Sequence, residues 1–219
     1  MMAPFRSTVL RVALAAMVAA LPACDPQPAP PPLVPPQPSA SVAGPDAPLD
    51  KGVFVSKRFG MRLPLPGGPA WKIDDRSTKW LEAKQPGGGE SLAVRLWRDE
   101  NRMTREKCEA TARSLRPLPQ RDGAELVDSR RIDVPPGFDT QLDVALVDDR
   151  KGGFFGFVLA FGGTGRRCFA YVYATHTTGA GADRKVGDRL AEMVEGSLQS
   201  LVFESDLDVV LEREASPTP

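Results

Sequence analysis

Between residues 49 and 205 the apolar positions come in short runs that alternate with polar ones, the period-two pattern of strands with one buried side. It starts at Val53-Phe54-Val55-Ser56-Lys57-Arg58-Phe59 and resumes after a bend at Gly60 in Met61-Arg62-Leu63-Pro64-Leu65-Pro66, where Pro64 confines the strand to an edge or an end. Gly67-Gly68-Pro69 predicts a turn and Trp71-Lys72-Ile73 a short strand with Trp71 facing the core. The runs 79–84 and 91–98 flank Pro86-Gly87-Gly88-Gly89, a strong hairpin pattern. Further strands are predicted over 124–134, 139–147, 154–161 and 167–175, separated by turns at Pro135-Pro136-Gly137, at 149–153 and at Gly162-Gly163-Thr164-Gly165.

Two stretches change to helical spacing. The first is capped by Thr104 and ends before Pro117, whose ring disfavours helical geometry in the residue ahead of it. Its apolar stripe is thin, with Cys108, Ala112 and Leu115, which suits a helix lying close to a sheet. The second runs from Asp183, read as its N-cap, to Gln199 with Val186, Leu190, Met193, Ser197 and Leu201 in register, and Leu201-Val202-Phe203 forms a final strand. These elements predict an α+β fold, an antiparallel sheet of about six to eight strands packed with two main helices.

Alternation along the last strand pair predicts two unlike faces. One carries Phe155, Phe157, Leu159, Phe161, Phe169, Tyr171 and Tyr173; the other carries Gly156, Val158, Ala160, Cys168, Ala170, Val172 and Ala174. The small face suits the small-residue helix and places Cys168 where Cys108 arrives. The aromatic residues Phe155, Phe157, Phe161, Phe169, Tyr171 and Tyr173 are expected to be core by default, since exposed apolar patches of that size are rare, with a ligand or partner surface as the alternative.

The phrase Phe59-Gly60-Met61-Arg62-Leu63-Pro64-Leu65-Pro66, followed by Trp71, a hairpin, a helix, a run of antiparallel strands and a helix running into Leu201-Val202-Phe203, resembles the PsbP/Mog1-like fold. Bacterial lipoproteins of the DcrB and LpqN type share that fold. The resemblance covers most of residues 53–204 and implies a binding module or assembly factor rather than an enzyme. It carries over no functional residue.

Ahead of this region lie Arg6 and Arg11, an apolar run from Val12 to Ala20, and Leu21-Pro22-Ala23-Cys24. The run is shorter than the roughly 20 residues a membrane-spanning helix needs and has the length of a signal-peptide core. Leu21-Pro22-Ala23-Cys24 resembles the lipobox of bacterial lipoproteins, with Pro22 a departure at its second position. The resemblance implies a signal peptide over 1–23 and acylation of Cys24, so that buried acyl chains hold the protein to a membrane. Asp25 is similar to an inner-membrane retention signal, a rule that varies between lineages. Ten prolines crowd residues 25–48 and predict a polyproline-like stalk, on the order of 70 Å when extended at about 3.1 Å per residue. Residues 49–205 form the expected single domain and 206–219 a polar tail.

The chain holds 28 basic and 28 acidic residues, and the region after the stalk keeps the balance, so the electrostatic footprint of a nucleic-acid binder is missing. Arginine outnumbers lysine 20 to 8, which a GC-rich genome accounts for. With Cys24 taken by lipid, Cys108 and Cys168 remain for an oxidising compartment, where pairing is expected. Two cysteines and the single histidine fall short of a four-ligand zinc set, and neither a metal nor a cofactor is expected.

No catalytic set stands out. His176 is the only imidazole, and no Gly-x-Ser-x-Gly elbow exists to present a nucleophile, so an exposed loop histidine is expected ahead of an envelope hydrolase that uses it. Gly179-Ala180-Gly181-Ala182-Asp183-Arg184 enters a helix, but Arg184 stands where a phosphate-binding loop needs glycine. Asp74-Asp75 and Asp148-Asp149 flank turns and lack calcium-loop spacing. The expected protein is a lipid-anchored binding or assembly module of the cell envelope, on the extracytoplasmic side, that contacts an envelope protein or a small ligand. A structural lipoprotein tied to the cell wall is the other alternative.

Overall fold

Period-two alternation builds ten strands, and the two stretches of helical spacing build two α-helices, across the residues described by the computed structural model, 52–203. The signal peptide, Cys24, the stalk and the tail from 206 to 219 lie outside them. In chain order the elements are β1 (Val53–Ser56), β2 (Met61–Pro64), β3 (Lys72–Asp74), β4 (Leu81–Gln85), β5 (Glu90–Arg98), α1 (Arg105–Leu115), β6 (Glu125–Ile132), β7 (Asp139–Asp148), β8 (Gly153–Thr164), β9 (Arg167–Thr178), α2 (Ala182–Met193) and β10 (Val202–Phe203). Seven strands form one antiparallel sheet in the order β3-β4-β5-β9-β8-β7-β6, and β1-β2-β10 form a small second sheet. The fold is α+β, with a main sheet of the predicted size.

The helices lie on opposite faces of the main sheet. Thr104 caps α1 by accepting the Lys107 N–H, and α1 buries Cys108 and Ala112 against β7, β8 and β9. Cys108 is bonded to Cys168 of β9, with Cα atoms 5.4 Å apart. Helix α2 begins at Gly181, whose φ of 70° starts the helix ahead of Asp183. Asp183 therefore belongs to the first turn rather than the cap, where its charge still suits the helix dipole. Val186, Leu190 and Met193 are buried, and a π-helical turn, Val194–Leu198, carries the chain toward β10.

The hairpin of β8 and β9 corrects the predicted faces. Gly162 and Gly163 belong to β8, and the turn is only Gly165-Arg166, which pairs Thr164 with Arg167. A five-residue connection from Gly162 to Arg166 would pair even positions with even ones; the two-residue turn pairs even with odd. Phe157, Leu159 and Phe161 consequently share a face with Cys168, Ala170 and Val172 under α1, while Phe169, Tyr171 and Tyr173 share the α2 face with Gly156, Val158 and Ala160. The six aromatic residues do not form one surface.

The glycines of β8 are there for close approach. A Cβ on Gly156 would collide with Val186 and lie 2.9 Å from Leu190 Cδ1 of α2, and one on Gly163 would lie 2.7 Å from the carbonyl carbon of Thr104 at the start of α1. On the α2 side the main core also takes in Phe54, Met61 and Leu63 of the small sheet. The outer strand β6 is mostly exposed, carries Asp128, Arg130 and Arg131, and has a register irregularity between Leu126 and Asp128, features that discourage pairing with another chain.

The disulfide closes a sequence separation of 60 residues across β6, β7 and β8. Replacing both Cys108 and Cys168 with Ala is expected to lower unfolding stability by about 2–4 kcal/mol, measured by urea denaturation. The parent protein in reductant should show the same loss.

Candidate functional site

Five of the six aromatic residues singled out by the pattern are buried: Phe157, Phe161, Phe169, Tyr171 and Tyr173. The Tyr171 hydroxyl donates to the Met193 carbonyl at 3.4 Å and that of Tyr173 to Glu90 Oε2 at 2.6 Å; burial pushes both phenols up from their ordinary value. These five are core, as expected by default, and the alternative of an aromatic ligand or partner surface over all six is corrected: burial and the split between two faces leave only Phe155 of the six exposed, at 47%.

His176 lies within β9 rather than in a loop. Its ring stacks on Phe155, with centroids 4.0 Å apart, and its Nε2 is 3.2 Å from Asp149 Oδ2. Asp149 also accepts the Lys151 and Gly153 backbone N–H groups, which hold its carboxyl below the ordinary value; His176 adds a smaller contribution. Among the described residues no Ser, Thr or Cys side chain bonds to His176, so the pair resembles a strap over the β7–β8 turn. Asp148 caps the same turn by accepting the Arg150 N–H at 2.7 Å.

Two polar networks sit at the sheet faces. Arg121, from the loop after α1, donates its Nε to Asp143 Oδ2 at 2.7 Å and its Nη1 to Glu109 Oε1 at 2.5 Å, and Ser129 donates to Asp143 Oδ1 at 2.7 Å. Burial alone would raise the Asp143 carboxyl, whose side chain is 4% exposed, but the hydrogen bonds from Ser129, Gln141 and Arg121 outweigh it and hold the group below its ordinary 3.8. At the opposite end, Arg189 of α2 reaches Thr175 Oγ1 and the Gly88 carbonyl at 3.0 and 3.1 Å and pairs with Glu90. Every charge in these two networks has a partner, so both read as structural.

A different arrangement occupies the α1 side of β4 and β5. A cleft of about 610 Å3 is lined by Thr78, Lys79, Trp80, Glu82, Arg95, Leu115, Arg116 and Pro117. The Arg95 guanidinium carbon lies 5.3 Å from the ring centre of Trp97 and 5.9 Å from that of Trp80, and that of Arg116 lies 5.2 Å from the Trp80 ring centre. Arg116 is paired with Glu82 at 3.1 Å; Arg95 has neither a carboxylate nor a carbonyl partner among the described residues. Burial, and then the nearby Arg58 charge, lower the Arg95 guanidinium from its ordinary value. The buried Trp97 Nε1 likewise has no acceptor among the described residues. A wider groove at the end of the sheet holds Arg98, Arg166 and Arg167, but there Asp99 and Glu100 stand among the cations.

Compared with known protein families and with curated proteins, the sequence matches none. Among solved structures it is similar to a protein of Bacteroides thetaiotaomicron at 13% identity and a TM-score of 0.36, covering 62% of this chain and 46% of that one, so the chain spans under half of that protein's length. It is similar to a variant of the protein Mog1 at 9% identity and a TM-score of 0.44, covering 71% and 97% of the two chains. It is also similar to LpqN, described as involved in cell envelope biogenesis of Mycobacterium tuberculosis, at 12% identity and a TM-score of 0.39, covering 65% and 82%. These likenesses concern the fold alone. No helix among the described residues is long and apolar enough to cross a membrane.

The cleft residues were not singled out by the sequence reading. Ala93, Arg95 and Trp97 alternate onto one face, and an arginine at an inward position of an apolar strand was the available signal.

The Asp143 network makes a pH-dependent prediction. A carboxyl held below its ordinary value stabilises the fold fully above that value, and the contribution fades as pH falls through the folded-state value. Asp143→Asn is therefore expected to cost on the order of 2 kcal/mol at neutral pH. The difference from the parent protein should shrink below about pH 4, as followed by thermal melting across the acid range.

Proposed function

We propose that the protein is a lipid-anchored binding module of the bacterial cell envelope, held on the extracytoplasmic side through Cys24 and performing no chemistry of its own. The observation that carries this reading is the order of segments: a short apolar leader, Leu21-Pro22-Ala23-Cys24, a proline-dense stalk, and then a folded body. The body's own two cysteines are joined to each other, which leaves Cys24 as the remaining thiol for acylation and suits an oxidising compartment. The stalk sets the body away from the bilayer, and the cleft beside Trp80 and Arg95 is the feature of that body best suited to contact a partner or ligand. The membrane is one partner in this reading, and an envelope protein or small ligand is the other.

Labelled palmitate should enter the parent protein and not Cys24→Ala, and the variant should leave the membrane fraction. Palmitate incorporation that survives Cys24→Ala would overturn the anchor.

The 3.2 Å contact of His176 with Asp149 favours a second reading, an envelope hydrolase with that pair as its base. A binding module predicts that His176→Ala leaves envelope phenotypes unchanged and costs about 1 kcal/mol or less, the scale of an exposed ring contact. A hydrolase predicts loss of function in the same complementation assay.

A further inference from the structure

Arg105, Arg113, Arg116, Arg121 and Arg189 are half-buried, and each has a carboxylate partner. Arg95 is half-buried too, but its guanidinium has no carboxylate or carbonyl partner among the described residues and lies over the Trp80 and Trp97 rings. Neither ring offers a lone-pair acceptor, so the guanidinium N–H groups keep the fork geometry that matches a planar oxyanion. The surroundings add charge of the same sign. Lys79 at the cleft is exposed with no ion-pair partner among the described residues, while Arg116 is offset by Glu82 and Arg58, held next to the cleft by the Thr78 carbonyl at 2.6 Å, is offset by Asp75 at 3.2 Å. In a chain with 28 basic and 28 acidic residues, this local excess of cations comes from placement and not from composition. Trp80 and the half-exposed Leu115 supply apolar walls beside it.

We propose that this cleft binds a ligand through a carboxylate or phosphate group, with Arg95 taking the oxyanion along its edge, Lys79 adding a second cation, and Trp80 and Leu115 covering an apolar portion of the ligand. This rests on the binding-module reading and specifies its ligand class. The half-buried position of Arg95 strengthens each charge-assisted bond over its value at a fully exposed site. The tryptophan pair orients Arg95 in advance, which reduces the ordering needed on binding.

The test uses the full-length protein in detergent, titrated separately with inorganic phosphate, benzoate and neutral benzamide while the indole N–H signals are followed by NMR. Trp80 and Trp97 flank Arg95, and Trp71, whose Nε1 donates to the Pro66 carbonyl at 2.6 Å, serves as an internal reference. Phosphate, benzoate or both should shift the Trp80 and Trp97 signals saturably, leaving Trp71 in place, and benzamide should not. A response to phosphate alone indicates phosphorylated ligands, and a response to benzoate indicates carboxylate-bearing ones. Arg95→Gln should weaken binding about tenfold to a hundredfold, the scale of a hydrogen bond to a charged group. Lys79→Gln, an exposed change that leaves the fold intact, should weaken it severalfold, so the site is tested even if Arg95→Gln unfolds. Absence of saturable shifts with either anion, equal binding of benzamide, or unchanged affinity in both variants overturns the proposal. Such failure leaves palmitate labelling at Cys24 untouched, and failure of labelling leaves the anion response untouched.

Discussion

Thr164 pairs with Arg167 across a two-residue turn, and this register decides which helix each residue of the central hairpin meets. Every second residue of β8 is directed to α1 and the others to α2, so the two longest strands, each of 12 residues, are covered on both sides. Strands buried on both faces cannot alternate apolar with polar, which explains why β8 and β9 read as nearly continuous apolar runs. The helices come close because the strand offers them glycine: Gly156 under Val186 and Leu190, Gly163 under the first turn of α1. The Cys108–Cys168 bond then ties α1 to β9 on one of these faces.

The same geometry determines where polar chemistry survives. Helix α1 is 11 residues long, about 16 Å at the usual rise, and rests on β7, β8 and β9. Past one flank the loop after it brings Arg121 down onto Glu109 and Asp143, and donors and acceptors there are matched. Beside the helix the sheet face continues over β5 toward β4 with Trp97, Arg95 and Trp80: Trp97 packs against Cys108 and Cys168, and Leu115 and Arg116 at the C-terminal end of α1 line the cleft with Arg95 and Trp80. The two flanks thus differ in kind: one is a closed structural network and the other an aromatic cleft whose Arg95 has no carboxylate partner among the described residues.

The buried tyrosines and the histidine of the folded body are committed to Met193, Glu90 and Asp149, and the carboxylates of its buried networks are committed to arginines. The proposed acyl anchor and stalk would restrict the search of such a body to the neighbourhood of one membrane surface, raising its effective concentration toward partners there.

Much of the architecture was legible because local chemistry dictates it. Thr104 and Pro117 bracket α1 by capping and by steric exclusion, Pro86-Gly87-Gly88-Gly89 turns β4 into β5, and Trp71 is buried as its flanking pattern predicts. The pairing of Cys108 with Cys168 also followed from there being two cysteines on elements that had to meet. What could not be read was the length of the β8–β9 turn, since glycine is equally at home in a turn and in a strand pressed by a helix. That ambiguity of three residues exchanged the faces of one strand relative to the other and divided the expected aromatic face between the two sides of the sheet. The cleft, likewise, exists only because α1 ends where it does and brings Leu115 and Arg116 beside Trp80 and Arg95. Spacing along a chain sets which side of its own strand a residue occupies, but only packing between distant elements sets what faces it there, and therefore whether a charge is matched or left open to a ligand.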